Sequence, residues 1–174
     1  GGEKGIASMS AIEWIGASVP IRAVHMAAIS WETDYLREPV LAMLRQKRIN
    51  AIELDLKDES GVIGYDSRLP FAKKIGAIEQ SYVLEDAVKE IHDLGGRVIG
   101  RIVAFRDGKH ARWAWDHGHR EQVIQTPDGQ PYAGYGGFTN FADPVVRDYN
   151  IDAAEEAARR GVEDILYDYI RRPD

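Results

Sequence analysis

The chain has 174 residues, 22 Lys and Arg against 28 Asp and Glu, a net charge of −6 and no cysteine. The acidic balance argues against generic nucleic-acid binding, which favours a basic face, and the absence of cysteine excludes disulfides and thiolate metal sites. No apolar run reaches the roughly 18 residues that suggest a membrane-spanning helix, while the length suffices for one domain with a core.

Residues 1–20 are weakly patterned and read as an N-terminal extension or linker closed by Pro20; residues 21–174 read as a partial α/β domain. The start, Gly1 to Gly5, is not a signal peptide but a linker, a tag scar or the downstream side of a cleavage, which leaves an extracytoplasmic or cell-envelope parent open. Ile21 to Trp31 reads as a first strand. Glu32 to Arg48 reads as a helix, with Leu36, Val40, Leu41 and Leu44 at helical spacing and Pro39 marking its first turn. Ala51 to Asp58 is a second strand, and Gly61 to Ser67 a small excursion or hairpin. Tyr82 to Leu94 is a helix closed by Gly95 and Gly96, and Arg97 to Phe105 a third strand. A long insertion over 106–143 follows, with a short helix near His110 to Trp115. Asp143 and Pro144 form the N-cap and N1 of a helix running to about Arg160. Val162 to Ile170 is a fourth strand.

This order predicts parallel βα units joined by right-handed crossovers, in either an open doubly wound sheet or part of a (βα)8 TIM barrel. No glycine-rich phosphate loop follows the first strand, which weakens a nucleotide-binding reading. Four strands do not close a barrel, and the chain stops directly after a strand; the reading is therefore the N-terminal half of a TIM barrel. Open sheet edges of this kind invite self-association.

The second strand alternates strictly, with Ile52, Leu54 and Leu56 on one face and Glu53, Asp55 and Lys57 on the other. If helices cover the apolar face, the charged face lines the barrel interior. The same alternation adds His25, Arg101 and Asp168 from the other strands. Such a set is either a structural ion-pair network or a site. Asp55, Lys57, Asp58 and Asp168 lie toward strand C-terminal ends, where barrel active sites are built. Glycosidases use two carboxyl groups roughly 5–10 Å apart, one nucleophile or base and one acid. Asp168 suits the first role, and no residue is an obvious second.

The insertion carries Phe105, Trp113, Trp115, Tyr132, Tyr135, Phe138 and Phe141. These form either a mini-core or platforms on which sugars stack; Trp113, Tyr135 and, at the end of the first strand, Trp31 are the candidates. His110, His117 and His119 share the loop, but their spacing is too irregular to specify a metal, and no cofactor is expected.

Five stretches carry a resemblance: VHMAAISW (24–31), INAIELDLKDESGVIGYDS (49–67), GGRVIGRIVAFRD (95–107), ADPVVRDYNIDAAEEAARRG (142–161) and ILYDYIRRPD (165–174). In this order they resemble DUF4015, a family of bacterial TIM-barrel proteins first described as a domain of unknown function. The resemblance implies a (βα)8 barrel and carbohydrate hydrolysis. It implies Asp168 as nucleophile, by similarity to amylase-like barrels, and Asp55, Lys57, Asp58, Arg101 and Arg171 as substrate-side residues, to which alternation adds His25. Arg172 stands where the family usually has Phe, and the family continues into strands five to eight, where the general acid is expected. The expected partner is a carbohydrate, with no nucleic acid. Two rival readings are a non-catalytic carbohydrate-binding or cell-envelope module using the aromatic loop, and a metal-dependent enzyme built on His25, Asp55 and the loop histidines.

Overall fold

The computed structural model describes residues 14–15 and 19–171. In chain order, β1 (Trp14–Ile15) and β2 (Val19–Pro20) form a short antiparallel pair, and the rest of the predicted extension lies outside the described residues. There follow β3 (Ala23–Met26), α1 (Ala28–Glu32), α2 (Asp34–Arg45), β4 (Ala51–Lys57), β5 (Ile63–Tyr65), α3 (Pro70–Lys74) and β6 (Ile78–Tyr82). The remainder is α4 (Leu84–Asp93), β7 (Arg97–Val103), α5 (Gly108–Asp116), α6 (Pro144–Arg159) and β8 (Asp164–Asp168).

The strands β3, β4, β7 and β8 lie side by side and parallel, in sequence order. A doubly wound sheet would reverse direction at its first strand; here each crossover steps the same way, as in a barrel wall. The sheet is mixed α/β and not closed. Alternation separates its faces. Val24, Met26, Ile52, Leu54, Val98 and Ile102 pack with Leu41 and Leu44 of α2, Val88 and Ile91 of α4, and Tyr149, Ala153 and Ala157 of α6. Ile91 is fully buried, and removal of such a side chain from water is worth about 1.5–3 kcal/mol. The opposite face opens on a small apolar layer of Ala23, Ala51, Ile99 and Leu166, above which the charged residues begin.

Caps explain several boundaries. Asp143 accepts from the backbone N–H of Val145 at 2.9 Å and of Val146 at 3.4 Å, and Pro144 occupies the first turn of α6. Gly95 takes a left-handed φ of 79°, and the N–H of Gly96 returns to the Ile91 carbonyl at 2.9 Å, ending α4. Three expectations need correction. The predicted first strand stops at Met26, and Ala28–Glu32 is helical, because a short apolar run does not distinguish the two states. Pro39 sits inside α2 rather than in its first turn. Tyr82 ends β6 rather than beginning α4.

The excursion after β4 is larger than its sequence suggested. β5 turns back antiparallel on the end of β4, and β6 pairs beside it in parallel. Glu156 of α6 anchors it: the carboxylate is buried and accepts from Tyr65 Oη at 2.7 Å, Ser67 Oγ at 2.7 Å and the Arg68 N–H at 2.9 Å. Burial, and then the Glu156 carboxylate, push the Tyr65 hydroxyl well above its ordinary value, so it donates as a neutral phenol.

Candidate functional site

Parallel register places His25 beside Glu53, and Asp55 beside Arg101, on the face away from the helices. Asp55 is the hub. Its Oδ1 lies 2.7 Å from His25 Nε2 and accepts from Arg101 Nη1 at 3.0 Å, while the Tyr82 hydroxyl donates to its backbone carbonyl at 2.7 Å. Arg101 also reaches Glu59 Oε2 through Nη1 at 3.0 Å, and Asp168 Oδ2 through both Nε and Nη2 at 3.3 Å. One guanidinium thus gathers three carboxylates from β4, the loop after β4, and the C-terminal end of β8. The free oxygen of Asp168 accepts the backbone N–H of Tyr169 at 3.0 Å.

The electrostatics follow from this crowding. Burial disfavours the charge on His25, but the hydrogen bond and charge of Asp55, helped by Glu53, raise its pKa above the ordinary imidazole value. Burial likewise opposes charge on Arg101, and Asp55 and Glu59 outweigh it, raising its pKa. Burial would raise the Glu59 carboxyl, yet the Arg101 contact lowers it, with Arg106 acting in the same direction.

Lys57 departs from strict alternation. The β4–β7 register slips between Asp55 and Lys57, so that Lys57 sits opposite Ile102, a helix-side residue. This β-bulge turns its side chain off the charged face. There Nζ donates to Asp107 Oδ2 at 2.7 Å and to the Ala104 carbonyl at 3.2 Å, and lies 4.9 Å from the centroid of the Tyr149 ring. Asp107 in turn caps α5 through the His110 N–H at 3.0 Å, and a Cβ on Gly61, built 1.9 Å from Asp107 Oδ1, would not fit. Lys57 therefore locks the β4–β5 turn to the insertion.

The other sequence candidates scatter. Asp58 closes its own turn, accepting from the N–H groups of Ser60 and Val62 at 2.9 Å; burial raises its carboxyl above the ordinary range although those bonds oppose it. Trp31 is buried in the core beneath Arg37. Trp113 packs edge-on to Phe71 and stacks with His117 and His119, in the mini-core sense. Tyr135 is 66% exposed. Arg171 is exposed, while Arg172 and Pro173 lie outside the described residues. The loop histidines do not converge on His25: His110 is buried against Gln122, at 2.8 Å. Among the described residues no group of three or more His, Asp or Glu is placed to hold a metal, and no helix is long and apolar enough to cross a membrane.

Glu59 was missed by alternation, because it follows the strand and joins the site through its contact with Arg101. Its one signal was membership of the ELDLKDESG stretch.

Comparison with known proteins places the fold. A hypothetical protein from Ruminiclostridium thermocellum superposes with a TM-score of 0.77 at 26% identity, over 86% of this chain and 77% of that one. A noncanonic maltogenic alpha-amylase from Thermotoga neapolitana gives 0.55 at 14% identity, over 87% of this chain and 39% of the amylase. An alpha-galactosidase from Lactobacillus brevis gives 0.53 at 15%, over 84% and 20%. The chain thus spans only part of these two glycosidases, and they share its fold. No curated protein matches the chain. The family description supports a general glycoside-hydrolase-like function. Over residues 23–174 the chain matches, and it belongs to, the DUF4015 family, described as "Putative glycosyl hydrolase domain".

Proposed function

We propose that the Arg101 cluster is one wall of a glycosidase active site acting on an oligo- or polysaccharide, with Asp168 as nucleophile or charge stabiliser. The observation that carries this is the placement of Asp168. It stands at the C-terminal end of a parallel strand, where barrel sites form. Arg101 and a backbone N–H hold it in one orientation, yet its side chain keeps 19% exposure against 4% for Asp55. A carboxylate fixed from behind and open in front can meet the positive charge that develops at the anomeric carbon, by bond formation or by electrostatic stabilisation.

The neighbours have separable duties in this reading. Asp55, sealed between His25 and Arg101, positions the guanidinium and touches no substrate. Glu59, 45% exposed, offers an acceptor for sugar hydroxyls. The proton donor to the leaving group is a residue other than these three, all of which accept from Arg101. Asp168→Asn preserves shape and removes the charge. It is expected to lower kcat on oligosaccharides or aryl glycosides by at least about 100-fold, with sugar binding retained; unchanged turnover would sink the assignment.

A further inference from the structure

Arg106, beyond the end of β7, lies between two exposed tyrosines. Its Cζ is 5.2 Å from the centroid of the Tyr135 ring and 5.3 Å from that of Tyr169. Nε donates to the Tyr135 carbonyl at 3.1 Å, and Nη1 to the Tyr169 hydroxyl at 3.3 Å. Both tyrosines adopt left-handed backbone, φ 56° and 52°, which disfavours side chains of that size. Among the described residues the one other non-glycine position of this kind is Lys47, just past α2. Disfavoured backbone at two exposed aromatic residues that meet on one guanidinium needs a reason beyond folding.

The surroundings supply one. Tyr169 directly follows Asp168 and gives it the backbone N–H that orients its carboxylate. Arg106 also helps lower the Glu59 carboxyl, which places its charge beside the cluster. Yet the two arginines are used differently. Arg101 forms ion pairs with Asp55, Glu59 and Asp168, whereas among the described residues Arg106 forms none. It keeps N–H donors beyond the two it spends on the tyrosines. Tyrosine faces suit the C–H surface of a sugar ring, and the edge of a stacked guanidinium suits a planar carboxylate, which it binds in a fork.

We propose that Tyr135, Arg106 and Tyr169 form a subsite beside Asp168 for a sugar ring that bears a carboxylate, a uronic acid unit. The identity of the ligand as carbohydrate rests on the glycosidase reading; the subsite does not require that Asp168 be the nucleophile. The probes are tetrasaccharides in matched pairs, galacturonate with galactose, glucuronate with glucose and mannuronate with mannose, titrated calorimetrically into the full chain. At least one uronate member is expected to bind about tenfold more tightly than its neutral match, and the preference is expected to shrink as salt rises. Arg106→Gln should abolish the preference, and Arg106→Lys should keep part of it. Tyr135→Ala and Tyr169→Ala should weaken both members of the pair. Binding in no pair, equal affinity within every pair, or a preference that survives Arg106→Gln overturns the proposal. Circular dichroism checks folding; if Arg106→Gln unfolds, Arg106→Lys and the salt dependence of the unaltered chain decide. Asp168→Asn separates the two readings. An intact uronate preference with unchanged turnover removes the nucleophile and keeps the subsite; lost turnover without any preference does the reverse.

Discussion

The two buried cations of adjacent strands, Lys57 and Arg101, were read from sequence as members of one charged wall, and the structure gives them opposite environments. Lys57 meets a single carboxylate, Asp107, with both side chains 1% exposed. Arg101 meets three, whose exposures run from 4% for Asp55 to 19% for Asp168 and 45% for Glu59. A sealed, one-to-one pair neutralises itself and holds two segments together. A cation shared among three carboxylates graded from dry to wet leaves the charge of the outer two, Asp168 and Glu59, facing solvent. Such charge gives the fold nothing unless something positive, or becoming positive, arrives there.

The sharpest way to break this contrast is to remove each cation. Lys57→Met strands Asp107 in the interior and is expected to cost about 3–5 kcal/mol in denaturant unfolding. Lys57→Met combined with Asp107→Leu should recover much of that loss, since neither charge is then left alone. A small effect of the single change would mean that the pair is not structural. Arg101→Gln should cost less stability, about 2–3 kcal/mol, because Glu59 and Asp168 reach solvent, but should abolish the turnover proposed for Asp168.

The pH dependence separates the two regions next. Asp107 is buried, which raises its carboxyl, but Lys57 and His110 bring it below the ordinary 3.8. Its contribution is therefore complete above 3.8 and fades only as pH falls through the lowered value. His25 has a raised pKa, so its contribution is complete below 6.5, the ordinary value, and is lost as pH rises through the folded value. Thermal melts are thus expected to lose stability on the alkaline side of 6.5, and His25→Asn should flatten that slope; an unchanged slope would show that the His25–Asp55 contact is not ionic. The smallest effect belongs to Glu59→Gln. At 45% exposure it should alter stability by no more than about 0.5 kcal/mol, while weakening substrate binding, read as a rise in KM.

The ELDLKDESG stretch shows how far alternation carries. It correctly placed Glu53 and Asp55 on the charged face, because period two holds wherever the ladder is regular. It failed at Lys57, where one slipped register turns a side chain to the opposite face, and nothing in the local residues announces a bulge. Trp113 and Tyr135 mark a second limit. Both are aromatic residues of one loop, yet one packs against Phe71 and the other stands open over Arg106. Composition could not divide them, since aromatic rings serve equally as filler and as platform.

What the sequence determined by itself was the rhythm: parallel strands with covering helices, the Asp143–Pro144 and Gly95–Gly96 boundaries, and the candidate standing of Asp55, Arg101 and Asp168. These are local or periodic properties, written in spacing and in caps. Only the tertiary structure decided that Arg101 gathers Asp55, Glu59 and Asp168, that Lys57 leaves the site for Asp107, and that Arg106 joins Tyr135 to Tyr169. Each of those joins residues separated by 29 to 67 positions. Register between strands and the path of a long loop set such distances, and neither is encoded in any short stretch of chain.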